Sequence, residues 1–219
     1  MAAKVGTKAP NLQVSTWVQG KPTNIDKEKG NVVVVEVFQV NCPGCFMYGI
    51  PEAIELYNKY HDSGLTMLGM ATAFEDYDKN TLENLQKLLT TGEVVGETQK
   101  ALSRYGQLKA GKLPYKIPFP VAMDMLKKEG GQISESKIMD VIEANVPDFR
   151  SYSEKDKQVM KERVKAYLMG KEYSAKTFEE YAMRGTPTSL VIDKKGNLRH
   201  NLFGATGHLE TIVQELLNE

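Results

Sequence analysis

The most restrictive stretch of this chain is Val32-Val33-Val34-Val35-Glu36-Val37-Phe38, with Asn41-Cys42-Pro43-Gly44-Cys45 directly after it. A near-continuous β-branched run predicts a strand buried on both faces, as in parallel sheets. Pro43 suits the first position of a helix, where its missing N–H costs nothing. Ile50, Ala53, Ile54 and Tyr57 carry an apolar stripe onward to about residue 60, and Pro51 predicts a kink within that helix. The junction between strand and helix holds both cysteines of a 219-residue chain. Two cysteines cannot make a disulfide framework, and a Cys-x-x-Cys loop is too short to gain much closure entropy. The pair therefore reads as redox or metal chemistry.

The flanking sequence extends the pattern. Residues 11–18 alternate loosely as an opening strand, 65–70 read as a second strand, 82–89 as a helix and 117–123 as a third strand. From 125 to 175 the composition shifts to Lys, Glu, Ser and Met. That stretch carries two helical patterns, one through Ile138, Val141 and Ile142, the other opening on the capping-box-like Ser153-Glu154-Lys155-Asp156. Strand patterns resume at 189–193 and 198–203 around the turn Lys194-Lys195-Gly196-Asn197, and a helix closes the chain at 209–217. This order predicts one α/β domain over 1–219, with a mixed central sheet, helices on both faces and a helical insertion at 125–175.

Composition excludes several classes. Twenty-eight basic against 28 acidic residues give no net charge, which argues against nucleic acid or an anionic membrane surface as partner. A hydrophobic fraction of 41% supports a sizeable core rather than disorder. No apolar run reaches the ~18 residues of a membrane span. The opening Met1-Ala2-Ala3-Lys4-Val5-Gly6 lacks the apolar stretch of a secretory leader, so a cytoplasmic location is expected, with a periplasmic or extracytoplasmic one the alternative if a leader has been removed.

Three places carry candidate chemistry. At a helix start, unpaired N–H groups and the helix dipole stabilise a thiolate. Cys42 is therefore the expected nucleophile, and Cys45, one turn inward, the expected resolving thiol. Glu36 is the single charged residue of its strand. A buried carboxylate is costly unless neutralised, so its pKa should rise, and it could relay a proton to and from Cys45. The alternative is a strand-end Glu reaching solvent or a lysine. Thr186-Pro187, in Arg184-Gly185-Thr186-Pro187-Thr188, precedes a strand and suits either a cis bond or an ordinary trans turn. Pro43 and Gly44 complete the candidate substrate-contacting set.

Taken together, the strand, the Cys-x-x-Cys, the kinked helix and Gly185-Thr186-Pro187-Thr188 leading into Val191-Ile192-Asp193 resemble the thioredoxin fold. More narrowly, these features resemble the TlpA-like branch of the redoxin (alkyl hydroperoxide reductase/thiol-specific antioxidant) superfamily. The opening Lys4-Val5-Gly6-Thr7-Lys8-Ala9-Pro10 resembles that superfamily's start, and the segment Phe38–Cys45 with Gly49-Ile50-Pro51 after it is similar to a bacterial redoxin-domain group within it. The resemblance covers roughly residues 4–124 and 176–217. It implies a three-layer sandwich and a thiol–disulfide oxidoreductase whose Pro187 is a cis-proline facing the dithiol. The Thr186 backbone would pair with a substrate chain, and Glu36 would stand where thioredoxins keep a buried acid. Disulfide-containing proteins or small thiols would be the substrates and a thioredoxin- or glutathione-type system the reductant, with no cofactor or metal, in a monomer or homodimer. Two features depart from the pattern. The insertion is longer, similar in place to the helical insert of periplasmic disulfide oxidases, and thioredoxin's Gly-Pro between the cysteines is reversed here.

Three rival readings remain. A peroxiredoxin would resemble Pro-x-x-x-Thr-x-x-Cys, but Val35 and Gln39 stand at those positions. A thiolate metal site would have to recruit His61, His200 or His208, and the last two are spaced outside the usual zinc pattern. A docking module would use Phe46, Met47 and Tyr48 as an apolar patch, unless those residues pack into the core.

Overall fold

The computed structural model describes residues 2–129 and 133–219, which fall into two compact units, Met1–Leu126 with Ala175–Glu219 and Lys127–Ser174. The first unit is built on a six-stranded sheet. In chain order its strands are β1 (Val14–Gln19), β2 (Val32–Phe38), β3 (Leu65–Ala71), β4 (Val121–Asp124), β7 (Thr188–Ile192) and β8 (Leu198–Phe203). Across the sheet they run β1-β4-β3-β2-β7-β8. β2 pairs parallel with β3 and antiparallel with β7, while β1 and β8 run antiparallel to their neighbours at the two edges. The expected mixed sheet is present, and every residue of β2 is buried, as its β-branched run predicts.

Strand periodicity sorts the side chains of β2 onto two faces. Val32, Val34 and Phe38 join a core with α1 (Ile50–Tyr60), α2 (Leu82–Thr91), α3 (Gly96–Arg104) and α7 (Leu209–Asn218). Val33, Val35 and Val37 face the opposite core, covered by the N-terminal segment through Ala9, Leu12 and Ile25 and by α6 (Lys176–Glu180). Each fully buried valine contributes about 1.5–3 kcal/mol over its exposed state. Glu36 alternates with the first set and therefore points toward α1.

Three details differ from expectation for identifiable reasons. β4 starts at Val121 rather than 117, because Pro118 and Pro120 lack the N–H groups a ladder needs. Pro51 produces a π-helical stretch, Cys45–Gly49, with α1 starting at Ile50. A proline that cannot donate to the preceding turn is accommodated by widening that turn. α3 is an element the sequence pattern does not announce, because its sequence GETQKALSR is poor in apolar residues; it buries Thr98 and Leu102.

The second unit holds α4 (Glu135–Asn145) and α5 (Glu154–Gly170), packed through Ile138, Ile142, Phe149 and Leu168. Both helices have serine N-caps. Ser134 accepts from the Lys137 N–H and Ser153 from the Asp156 N–H, each at 3.2 Å, and such caps contribute about 1 kcal/mol. The chain leaves and re-enters the first unit through a two-stranded ribbon of β5 (Leu126–Lys128) and β6 (Tyr173–Ala175). On the sheet side the Lys176 N–H donates to the Met125 carbonyl at 3.0 Å. The buried Asp124 carboxylate accepts from Thr72 Oγ1 (2.8 Å) and from the backbone N–H groups of Thr177 (2.8 Å) and Phe178 (3.2 Å), capping α6.

Candidate active site

Cys42 and Cys45 are joined as a disulfide, with Cα atoms 5.4 Å apart. Pro43 and Gly44 make the first helical residues before the π-helical stretch. Their geometry makes the two sulfurs unequal. Cys42 is half-buried and accepts the Cys45 backbone N–H on Sγ at 3.2 Å, whereas Cys45 is fully buried in the helix-side core. An N–H directed at a sulfur stabilises negative charge there. Cys42 Sγ also lies 3.6 Å from the Thr186 carbonyl oxygen.

The Thr186–Pro187 peptide bond is cis, which decides between the two readings open in the sequence. Pro187 is buried and Thr186 half-buried. The helix start and the proline loop approach closely because two glycines line the contact. A Cβ on Gly44 would stand 3.8 Å from Pro187 Cδ, ordinary contact, whereas one on Gly49 would stand 2.8 Å from Pro187 Cβ and collide with Glu36 Oε1. Neither neighbour can retreat, since the proline ring is rigid and Glu36 is held by a hydrogen bond. Gly49→Ala should therefore lower stability by about 1–3 kcal/mol through overpacking, although alanine is favoured over glycine in a helix by about 1 kcal/mol. A lower denaturation midpoint in guanidinium checks this, and an unchanged or raised midpoint would show that the contact is slack.

Glu36 is 1% exposed. Its Oε2 accepts from Ser189 Oγ at 2.6 Å, and its Oε1 has no partner. Ser189 sits directly opposite Glu36 in the β2–β7 register, so the contact is a cross-strand pair. Burial pushes the carboxyl up to about 7; the Ser189 hydroxyl opposes the rise and the charge of Glu52 on α1 adds to it. The solvent-reaching alternative for Glu36 is excluded by its burial, and among the described residues its carboxylate is hydrogen-bonded by Ser189 rather than by a lysine.

Sequence reasoning missed Asn41 and Ser189. Asn41 Oδ1 accepts the Glu97 N–H at the start of α3 (2.7 Å), its Nδ2 donates to Asp76 (2.8 Å), and its own N–H donates to Asn80 Oδ1 (2.8 Å). Three anchors thus fix the residue preceding Cys42. Their partners lie 35 to 56 positions away in sequence, so nothing local announces them. Of the apolar trio after the dithiol, Phe46 is in the core, Met47 is half-buried and Tyr48 is 56% exposed. Phe46 and Met47 border a cavity of about 340 Å³ with Pro51, Leu102, Leu113 and Tyr115. Gln39, where a peroxidase threonine would stand, is buried with its amide directed at the Glu75 carbonyl (3.4 Å). Among the described residues, no three His, Cys, Asp or Glu side chains converge as metal ligands, and no helix is long and apolar enough to cross a membrane.

Comparison with known proteins agrees with this fold. A solved thioredoxin-like superfamily protein is 26% identical, with 98% of each chain covered and a TM-score of 0.59. A thiol-disulfide isomerase from Corynebacterium glutamicum is 24% identical, again with 98% of each chain covered and a TM-score of 0.59. The chain has the thioredoxin-like fold, that of the thiol–disulfide oxidoreductases. Among curated proteins, the DipZ proteins of Mycobacterium bovis and Mycobacterium tuberculosis are each 22% identical over 217 residues, covering 96% of this chain. The chain spans about a fifth of the length of those relatives, 21%. No family model matches it.

Proposed function

We propose that this protein is a thiol–disulfide oxidoreductase of TlpA-like type that exchanges disulfides with protein clients through Cys42 and Cys45. The observation that carries the reading is the asymmetry of the pair. One cysteine is half-buried and its sulfur receives an N–H, the other is fully buried, and a cis-proline loop lies against the first. In the reducing direction, the Cys42 thiolate attacks a client disulfide and forms a mixed disulfide, expelling one client thiolate. Cys45 gives its proton to the Glu36 carboxylate and attacks the Cys42 sulfur. That closes the internal disulfide and releases the second client thiolate, so two electrons pass to the client. Run backwards, the same steps oxidise a dithiol. The half-buried Thr186, whose carbonyl lies 3.6 Å from Cys42 Sγ, would offer its backbone to a client chain, with Pro43 and Gly44 on the dithiol side. This chemistry needs no metal or organic cofactor. Recharging the dithiol falls to a thioredoxin- or glutathione-type reductant.

The test is the equilibrium potential of the Cys42/Cys45 couple in glutathione buffers. A value near the about −270 mV of thioredoxin supports a cytosolic reductant; one near about −120 mV supports a disulfide donor in an oxidising compartment. Absence of a two-electron couple would overturn the reading.

A further inference from the structure

We propose that Ser189 is the positioning residue of the Glu36 proton relay. Its hydroxyl engages Oε2, reserves Oε1 for proton exchange with the dithiol, and so sets the pH at which resolution of the mixed disulfide begins. The proposal rests on the relay role given to Glu36 above and adds a residue to it.

The geometry is specific. Ser189 is 7% exposed and stands opposite Glu36 across the β2–β7 ladder, its Oγ 2.6 Å from Oε2. The other oxygen, Oε1, is buried without a partner and abuts Gly49 and Pro187, between the dithiol helix and the cis-proline loop. A buried polar atom left unpartnered is costly, and such atoms concentrate where function requires them. A serine hydroxyl donates to a carboxylate and can accept from a carboxylic acid. It therefore holds Oε2 in both protonation states while the proton comes and goes on the other oxygen.

The surroundings contain few competing charges. On β3 the residue facing Glu36 in register is Gly69, and on β7 it is Ser189. The helical segment contributes Cys45 and, further along α1, the half-buried Glu52. α7 meets this core through Leu209, Val213 and Leu216, while its Glu210 acts on Glu52. With no cation in this set, the Ser189 hydroxyl is the favourable partner of the ionised form. Removing it should make Glu36 hold its proton to higher pH.

The experiment follows thiolate release when the reduced protein meets one equivalent of a symmetrical chromogenic aromatic disulfide. The first phase is attack by Cys42, and the second is resolution by Cys45. In the unaltered protein the second phase should rise with pH through the range in which Glu36 ionises. Ser189→Ala should move that rise upward by roughly one pH unit, the effect of losing one charge-assisted hydrogen bond, with the first phase unaltered. Ser189→Thr keeps the hydroxyl and should restore the midpoint. A Ser189→Ala protein that resolves more slowly at every pH with an unmoved midpoint would overturn the proposal, since that is what a purely structural role produces. Glu36→Gln separates the two ideas. If its second phase keeps the original midpoint, the relay reading itself fails; if that midpoint vanishes while Ser189→Ala leaves it in place, only the role of Ser189 fails.

Discussion

Cys45→Ser is expected to turn the protein from a catalyst into a trap. The variant keeps the half-buried Cys42, the N–H directed at its sulfur and the cis-proline loop, so attack on a client disulfide proceeds. The mixed disulfide then has no internal thiol to break it and persists until an external thiol intervenes. Non-reducing gels should show client-sized adducts that disappear with dithiothreitol, and chromogenic disulfide should release one thiolate per chain instead of two. Cys42→Ser removes the nucleophile, and turnover should fall on the order of 10³-fold or more. The pair of variants also separates catalysis from docking. Clients retained noncovalently by Cys42→Ser with undiminished affinity would favour a docking module built on Tyr48 and the cavity beside Met47. Loss of capture with Cys42 and gain of capture without Cys45 is the redox signature.

Glu36→Gln should make the oxidised protein gain stability selectively at alkaline pH. The folded protein holds the Glu36 proton up to about 7, whereas an unfolded chain releases it near 4.5. Between those values the folded state binds more protons than the unfolded one, so stability falls as pH rises through the window. The contribution is intact below about 4.5 and lost above about 7. At about 1.4 kcal/mol for each tenfold change in proton affinity, the loss between pH 5 and pH 8 is about 2–3 kcal/mol. Glutamine does not titrate and should abolish this slope. Packing costs of the substitution are the same at both pH values and cancel in the difference. Guanidinium unfolding at pH 5 and pH 8 measures it directly, and the disulfide form keeps the cysteines from titrating in the same range. Equal effects of the substitution at the two pH values would mean that Glu36 ionises like an exposed carboxylate.

That a buried acid is retained at this cost is understandable if it moves protons. Its strand position was legible, because one Glu among five valines can only be buried in a sheet centre or exposed by accident. Its partner was not, since Ser189 reads locally as an ordinary strand residue and becomes significant only through the β2–β7 register. The same contrast holds elsewhere. β2, the Cys-x-x-Cys helix start and the Ser153 cap are local statements of hydrophobic period and capping chemistry, and the structure has them where the pattern puts them. α3 and the Asn41 anchors depend on contacts between distant segments, and the cis geometry at Pro187 on the context of its loop. The start of β4 was misplaced for a different reason. The apolar residues from Ile117 onward continue the strand pattern, but Pro118 and Pro120 interrupt the hydrogen-bonding ladder until Val121.

The hydrogen bond between Lys176 and Met125, with Asp124 capping the helix that follows, has a consequence for how such a chain can change over generations. The points where the backbone departs and returns are immediate neighbours, so the sheet experiences everything between them as a closed loop. Closing a loop costs entropy only as the logarithm of its length, about 0.6 kcal/mol for each doubling. Segments of very different size could therefore be accommodated at this junction, in the place of Lys127–Ser174, with little penalty to the dithiol unit.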